Sequence, residues 1–250
     1  MNLAEIVEGL PPTILAYQDD PYCASAEGTV LRFARDQGSS YYLVLASSIF
    51  HPKGGGQPSD TGVVEGEGFT FRVKKALKGG DHVILYGKCD GTPALGPCRE
   101  ALDWDQRYLY MRRHAAAHLF DGVLAEVTGQ VFEPLDSWLG DGSYVAYRGE
   151  APDERKMKNV EVEANRAISE GRPLSIQVVR SEDLSDVRTF WSSVLQNEEK
   201  IRLVTIQGYR PIPCAGTHVR NLMEVKGLKV LSTEVTADGF KVHFDVPHSV

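Results

Sequence analysis

Short apolar runs alternate with polar positions over residues 27–87, in the manner of half-buried β-strands. The runs GTVLRFARDQGSSYYLVLASSIF, GVVEGEGFTFRVKKAL and DHVILYG are rich in β-branched and aromatic residues and are separated by turn-forming residues. Period-two alternation bounded by turn residues predicts strands. We therefore expect this half of the chain to form a small β-barrel or a strongly bent sheet.

Helical periodicity dominates the part of the chain after residue 98. It predicts one helix over residues 106–128, ended by Gly129, and a second over residues 153–170, followed by Gly171. Four later runs alternate like strands: SIQVVR, KIRLVTIQGY, LKVLSTEV and FKVHFDV. Because helices and strands do not alternate regularly, the sequence favours the α+β class with an antiparallel sheet.

The segment CDGTPALGPC, from Cys89 to Cys98, separates these two patterns. It is rich in Gly and Pro, which is typical of a connection between structural units. The predicted organisation is a β-barrel domain over residues 1–98, followed by an α+β domain over residues 99–250. A length of 250 residues with 42% apolar content is sufficient for two hydrophobic cores.

The amino-acid composition limits the kinds of binding partner and the cellular compartments that are expected for this chain. The chain has 27 Lys and Arg against 34 Asp and Glu, a formal net charge of −7, so a nucleic-acid partner would require a local basic patch. No apolar run is long enough to span a bilayer, and the acidic start MNLAEIVEGL does not resemble a signal peptide. The four cysteines show no paired spacing, which favours free thiols. We expect a cytoplasmic protein with no membrane partner.

Two histidines stand one helical turn apart in MRRHAAAHLFDGVL, inside the first predicted helix. On a helical wheel, His114 and His118 lie opposite the apolar stripe of that helix, so they face either solvent or a cleft. Such a pair on its own is more often exposed than bound to a metal ion. Asp121, on the same side of the helix, is either the partner of an imidazole or a surface acid.

A second pair with the same spacing occurs in PIPCAGTHVRN, where Cys214 and His218 belong to a predicted loop. Taken alone, this pair fits a buried structural cysteine beside an unrelated histidine. Taken with the helical pair, it gives one thiol and three imidazoles, which are ligands that Zn²⁺ prefers. The sequence therefore predicts a zinc site and leaves open whether the zinc is structural or catalytic. The motif HExxH does not occur, which argues against a metalloprotease.

A third motif, FHPKGGGQPSDTG, follows the strand-like run YYLVLASSIF. Consecutive glycines allow unusual backbone angles and the close approach of a ligand, although a flexible hairpin loop has the same composition. The motif does not match GxxxxGK[ST] and no helix follows it, so chemistry on a nucleoside triphosphate is not expected. We expect the loop to supply backbone donors and Gln57 to a small polar group in a cleft between the two halves.

The three motifs GGGQPSDTG, RRHAAAHLF and CAGTHVRN, in this order and spacing, resemble those of the free-standing alanyl-tRNA editing proteins of the AlaX group, which are similar to the editing domain of alanyl-tRNA synthetase. The resemblance covers residues from about 13 to 246. It implies an ATP-independent, zinc-dependent hydrolase that cleaves the ester of mischarged alanine-tRNA, chiefly seryl-tRNA and also glycyl-tRNA. It further implies that zinc is held by four residues: His114, His118, Cys214 and His218.

The resemblance also suggests roles for residues that surround these ligands. Gln57 is the candidate for contact with the amino acid of the substrate, and Thr217 is a second catalytic candidate whose alternative role is entry to a strand. The implied substrate-binding loop comprises Gly54, Gly55, Gly56, Gln57 and Asp60. The candidates for contact with tRNA phosphates are cations that flank the motifs: Lys53, Arg112, Arg113 and Arg220.

The histidine motif departs from the form HTATH that is common in the synthetases, because Ala115 and Ala117 stand in place of threonine. A hydroxyl at position 117 could bond the seryl side chain, so its loss puts the preference for serine in doubt. The sequence also admits a non-catalytic homologue that keeps a structural zinc and binds tRNA or a protein, or a zinc hydrolase of another small ester or amide. No stable protein partner is predicted.

Overall fold

The computed structural model describes residues 2–181 and 199–248. The chain divides into two compact units, Met1–Leu109 and Tyr110–Val250. All pairings between the named strands are antiparallel, and helices occupy separate stretches of the chain, so the predicted α+β class is confirmed. Within the described residues, no helix has the length and apolar character that crossing a membrane requires.

The first unit contains a closed barrel of six strands in the order β1-β2-β5-β4-β3-β6. Apolar side chains from alternate strand positions, such as Leu43, Val64 and Phe71, fill its interior, as the period-two pattern predicts. Two short helices precede the barrel: α1 (Leu3–Val7) and α2 (Ala16–Asp19). The strands are β1 (Ser25–Arg35), β2 (Ser40–Leu45), β3 (Gly62–Gly66), β4 (Phe69–Gly79), β5 (His82–Gly91) and β6 (Gly96–Leu102).

The segment that the sequence suggests as a connection between units lies within the barrel. Cys89 belongs to β5 and Cys98 belongs to β6, so the Gly- and Pro-rich residues between them form a loop between two strands. Strand β6 closes the barrel because it pairs with both β1 and β3. The division expected at residue 98 therefore falls inside a barrel strand, and the two compact units meet between Leu109 and Tyr110.

The two long helices are α3 (Trp104–Thr128) and α4 (Glu154–Glu170), close to the predicted bounds. The carboxylate of Asp153 caps the start of α4 by accepting a hydrogen bond of 2.8 Å from the main-chain N–H of Lys156. Helix α4 ends at Gly171, whose φ of 67° is left-handed. Local sequence signals thus determine where this helix begins and ends.

The second unit contains two antiparallel sheets. A three-stranded sheet has the order β11-β10-β9, and a four-stranded sheet has the order β12-β13-β8-β7. The last two strand-like runs form a hairpin at Asp238, since Thr236 of β12 pairs with Gly239 of β13. The strands are β7 (Pro134–Trp138), β8 (Tyr144–Arg148), β9 (Leu174–Arg180), β10 (Lys200–Ile206), β11 (Ile212–Pro213), β12 (Lys229–Thr236) and β13 (Gly239–Asp245). A short 3-10 helix, Leu222–Val225, precedes β12.

Candidate metal centre

The middle of α3 is buried on every side, from Met111 to Phe120. His114 and His118 expose only 4% and 7% of their surface. Of the two alternatives for the face opposite the apolar stripe, solvent is therefore wrong, because that face is enclosed in this part of the helix. The histidines face the interior of the second unit, where an imidazole requires a polar partner or a metal ion.

Cys214 and His218 lie in the loop that follows the β10–β11 hairpin. The guanidinium of Arg202, from β10, donates to the carbonyl oxygens of Cys214 at 2.7 Å and Gly216 at 3.1 Å. The main-chain N–H of Gly216 also donates to Sγ of Cys214 at 3.4 Å. These bonds hold the loop that carries the thiol. Sequence reasoning missed Arg202, although an arginine within the apolar pattern KIRLVTI is a usable signal.

Four ligand atoms converge within the second unit. The atoms offered by His114, His118, Cys214 and His218 all lie within 4.8 Å of one another. Sγ of Cys214 is 3.3 Å from Nε2 of His114 and 3.7 Å from Nε2 of His218. Zinc bonds of about 2.0–2.3 Å in a tetrahedral arrangement place ligand atoms about 3.3–3.7 Å apart. The two distances from Sγ of Cys214 fall in this range, and the four residues offer ligand atoms that suit a metal ion.

Burial sets the protonation of this cluster. Burial, assisted by the positive charge of Arg202, lowers the pKa of His118 to about 4, so its imidazole is neutral at pH 7 and able to bind a metal ion. Burial also raises the pKa of the Cys214 thiol to about 11, although the Gly216 N–H and Arg202 oppose this rise. Nδ1 of His118 is buried and has no hydrogen-bond partner among residues 2–181 and 199–248. A buried nitrogen without a protein partner is consistent with a site that takes a ligand.

Asp121 fits neither of the alternatives that the sequence left open. Its carboxylate accepts a short hydrogen bond from the hydroxyl of Tyr147, a buried residue of β8. Burial raises the pKa of Asp121 to about 7, and the bond from Tyr147 opposes that rise. Asp121 therefore bonds a strand tyrosine, a partner that no local pattern in the sequence indicates.

The glycine loop in the first unit contains a tight turn. The main-chain N–H groups of Gly54 and Gln57 each donate to the carbonyl oxygen of the other, at 3.1 and 3.0 Å. The two central residues, Gly55 and Gly56, have φ of 54° and 78°. Positive φ at both central positions is the requirement of a type I′ turn, which glycine meets without steric cost. The consecutive glycines thus fit the hairpin alternative, with a defined backbone.

The polar residues of this loop are placed differently from one another. Gln57 is buried, and Lys53 is exposed. Asp60, expected at the substrate, is 1% exposed and forms an ion pair with Arg107. Its carboxylate also accepts from the main-chain N–H of His51 at 2.6 Å. We therefore assign Asp60 to holding the loop in place, a role whose partner Arg107 the sequence did not reveal.

Two of the four cations expected at tRNA are interior groups. Arg112 and Arg113 each expose 1% of their surface. Arg112 donates to the carbonyl oxygens of Glu224 and Val225, at 2.8 and 2.7 Å. Arg113 forms an ion pair of 3.0 Å with Asp245. Because these guanidinium groups are occupied in the interior, the expected contact of Arg112 and Arg113 with phosphate is corrected to a role in packing. Arg220 is exposed.

The structure brings the four predicted metal ligands together in the second unit, with Thr217 buried beside His218 in the sequence. Ala115 and Ala117 are also buried in that unit. The glycine loop, with Gln57 and Lys53, belongs to the first unit. The sequence signals thus mark one cluster in each unit.

Comparison with known proteins gives relatives over nearly the whole chain. The chain is 35% identical over 231 residues to the alanyl-tRNA editing protein AlaX-M of Methanosarcina acetivorans, covering 87% of this chain and 92% of that protein. It is 34% identical over 224 residues to the AlaX-M protein of Methanosarcina mazei, covering 84% of this chain and 87% of that protein. No family model matches the chain.

A second group of relatives consists of much longer proteins. The chain is 32% identical over 248 residues to the alanine–tRNA ligase of Ignicoccus hospitalis, a match that covers 95% of this chain and 26% of the ligase. The chain therefore spans about a quarter of the length of this ligase, and it matches the AlaX-M proteins over most of theirs.

Proposed function

This chain belongs to the AlaX family of alanyl-tRNA editing proteins, and from that premise we propose that it hydrolyses the ester bond of mischarged alanine-tRNA. The observation that carries the proposal is the cluster of His114, His118, Cys214 and His218 in a chain with these relatives. Because the chain matches AlaX-M proteins over nearly their whole length, we propose that it acts in trans, on tRNA released from the ligase. The reaction is a hydrolysis of a reactive ester and needs no ATP. We place it in the cytoplasm, where aminoacyl-tRNA is used.

We propose zinc as the ion that this cluster holds, through three imidazoles and one thiolate. The bound ion would supply a fixed positive charge that can orient the amino group of the substrate or a water molecule. The protein groups have separate tasks. Arg202 holds the backbone of the loop that carries Cys214, and burial keeps His118 neutral so that its nitrogen is free to bind. Both effects prepare the site before the ion enters.

Gln57 and Thr217 are the proposed contacts with the aminoacyl group. An ester of this kind is already activated, so the site has to orient the ester and stabilise the charge that develops on its carbonyl oxygen. A buried amide or hydroxyl donor suits that task because it is positioned before the substrate binds. The type I′ turn of Gly54, Gly55 and Gly56 fixes the main chain beside Gln57. Lys53 and Arg220, both exposed, are the proposed contacts with tRNA phosphates among the residues that flank the motifs.

The proposed substrates are seryl- and glycyl-tRNA for alanine. Ala115 and Ala117 leave no side-chain hydroxyl in the helical motif, so selection of serine through a bond to its hydroxyl is not expected from these positions. A selectivity that rests on size would admit glycine as well. The same two alanines, together with a complete set of four ligands, favour the second candidate: a protein that binds tRNA without cleaving it and uses zinc as a structural ion.

The test is release of serine, glycine and alanine from separately charged alanine-tRNA. Wild type is compared with His114→Ala, and with His243→Ala as a control for a histidine of the same unit outside the cluster. Circular dichroism establishes that each variant is folded. We expect release of serine or glycine by wild type and His243→Ala, and loss of that release in His114→Ala, which removes one of the four candidate ligands. Binding of tRNA without release by zinc-loaded wild type would establish the second candidate instead.

A further inference from the structure

Strand β4 carries a run of cations on a chain whose net charge is −7. Its sequence, FTFRVKKALKG, contains no acidic residue. The barrel interior receives Phe69, Phe71, Val73 and Ala76, whereas Leu77 packs against an apolar cluster on the outer side. Arg72, Lys74 and Lys75 are exposed, and Lys78, which is also exposed, alternates to the side of Ala76. A shift of register between Val73 and Lys75 places two adjacent lysines at the surface. A strand with this composition is a local basic patch of the kind that a polyanionic partner requires.

Neighbouring strands extend this patch. Lys88 of β5 lies opposite Arg72 in the β4–β5 pairing, and Tyr86 lies opposite Lys75. Tyr42 of β2 lies opposite Tyr86, and their ring centroids are 4.9 Å apart. Both rings are half-buried, so each keeps an exposed portion beside the lysines. We call the group of Arg72, Lys74, Lys75 and Lys88, with Tyr42 and Tyr86, the β4 cationic surface.

Acidic neighbours leave most of this positive charge uncompensated. Asp90 forms an exposed ion pair of 3.0 Å with Arg72, and Asp36 accepts a hydrogen bond of 3.2 Å from the hydroxyl of Tyr86. Within residues 2–181 and 199–248, no ion pair involves Lys74, Lys75 or Lys88. The surface therefore carries a net positive charge.

The glycine loop reaches the same strand. The main-chain N–H of Lys53 donates to the carbonyl oxygen of Ala76 in β4 at 3.2 Å. Lys53 directly precedes the turn that ends at Gln57, and its main chain lies beside the cations on β4. A partner that follows the cations along β4 would arrive at the loop that we propose for the aminoacyl group.

We propose that the β4 cationic surface binds the phosphate backbone of the tRNA acceptor arm. The identification of the RNA rests on the proposed function, whereas the polyanionic character of the partner rests on the surface alone. Cations spaced along neighbouring strands match the repeating charge of a nucleic-acid backbone, and the exposed portions of the two tyrosine rings can contact an unpaired base. Contacts of these cations with phosphates would supply affinity and orient the tRNA, but they would not distinguish one nucleotide sequence from another.

The experiment measures the binding of uncharged alanine-tRNA by fluorescence anisotropy over a series of salt concentrations. The variant Lys74→Ala/Lys75→Ala is compared with wild type and with Lys156→Ala/Lys158→Ala, which removes two exposed lysines from α4. We expect the β4 variant to bind at least about tenfold more weakly and to lower the slope of log affinity against log salt by about two. The α4 variant should stay within about twofold of wild type.

A second variant shows whether weaker binding results from the loss of charge or from a change in the structure of the strand. Lys74→Arg/Lys75→Arg keeps both charges, so we expect it to retain the wild-type salt slope. Equal binding by wild type and Lys74→Ala/Lys75→Ala would overturn the surface while leaving the proposed hydrolysis intact, because hydrolysis is measured separately, as release of the amino acid from charged tRNA. Binding of anionic phospholipid vesicles without binding of tRNA would overturn the RNA assignment. If Lys74→Arg/Lys75→Arg also binds tRNA weakly, the loss comes from a change in the strand, and the role of the two charges is overturned.

Discussion

The guanidinium of Arg107 and the carboxylate of Asp60 form an ion pair from which solvent is excluded, with exposures of 0% and 1%. Nε of Arg107 lies 3.0 Å from each carboxylate oxygen. The same guanidinium donates to the carbonyl oxygen of Ile49, while Asp60 accepts from the N–H of His51. Arg107 therefore ties together both ends of the glycine loop, whose turn lies between Ile49 and Asp60.

Removal of one member of this pair should destabilise the protein strongly. Arg107→Met leaves the carboxylate of Asp60 buried without its cation, and such a change costs about 3–5 kcal/mol. The free energy of unfolding, measured by denaturant titration, is expected to fall by that amount. Arg148→Met is the control, because Arg148 and Glu133 form an ion pair of 2.8 Å in which both side chains are more than half exposed. Its loss should cost less than about 1 kcal/mol.

The double variant Arg107→Met/Asp60→Leu tests the cause. If an uncompensated buried charge is responsible for the loss, removal of both charges should recover a large part of it. A double variant as unstable as Arg107→Met would show that the ion pair acts through its contacts with the backbone. Equal stability of Arg107→Met and wild type would contradict the arrangement of the loop.

Substitutions of Gly55 should affect stability according to how readily the new residue adopts a positive φ. Gly55 has φ of 54°, and open space surrounds the position of an added Cβ atom. Gly55→Asn should therefore cost little, since asparagine adopts the left-handed region readily. Gly55→Val should lower the free energy of unfolding by about 1–2 kcal/mol, because a β-branched residue is strained there. Thermal unfolding of both variants measures the difference, and identical midpoints would contradict the type I′ turn.

A buried carboxyl in the barrel should make stability depend on pH. Burial raises the pKa of Glu100 to about 7, although bonds from the Ile49 N–H and the Ser48 hydroxyl oppose the rise. In the unfolded chain the same carboxyl ionises near its ordinary pKa of about 4.3. Between these values the unfolded state loses a proton that the folded state keeps, so stability falls as pH rises and levels off above about 7.

Glu100→Gln isolates this effect. The glutamine keeps the shape of the side chain and an oxygen that can accept both bonds, and it cannot ionise. We expect the free energy of unfolding of wild type relative to Glu100→Gln to decrease by about 3 kcal/mol from pH 4 to pH 8. Denaturant titrations of both proteins at several pH values measure it. Parallel curves across this range would contradict a protonated Glu100 in the folded state.

Features encoded by neighbouring residues were predictable from the sequence. The start of α4 near Asp153 and its end before Gly171 depend on a few adjacent residues, and both were found close to the predicted positions. The four residues of the cluster were predictable as candidate ligands because they form two pairs with the same spacing and carry atoms that bind zinc. The two pairs lie about a hundred positions apart in the chain. The residue types alone therefore indicated that the two pairs belong to one site, because no local pattern in the sequence connects them.

Features that depend on distant partners were not predictable in this way. The helical wheel assigned His114 and His118 to a face opposite the core, but it could not show that residues from β10 and the Cys214 loop enclose that face. Arg112 looked like a surface cation because arginine is rarely buried. Its partners, the carbonyl oxygens of the short 3-10 helix, are more than a hundred positions away in the chain.

Binding of a metal ion should stabilise the second unit through all four ligands together. An ion that binds only the folded state adds about 2.7 kcal/mol when its free concentration is a hundred times its Kd. We expect one equivalent of zinc per chain and a midpoint of thermal unfolding that rises with zinc and falls with a chelator. His118→Ala should lose that response, and His243→Ala should keep it, because His243 lies outside the cluster.

Cobalt(II) in place of zinc should show a thiolate charge-transfer band that Cys214→Ser abolishes, since Cys214 is the only sulfur ligand in the cluster. A band that survives in Cys214→Ser would assign the ion to a different set of residues and would contradict the proposed centre.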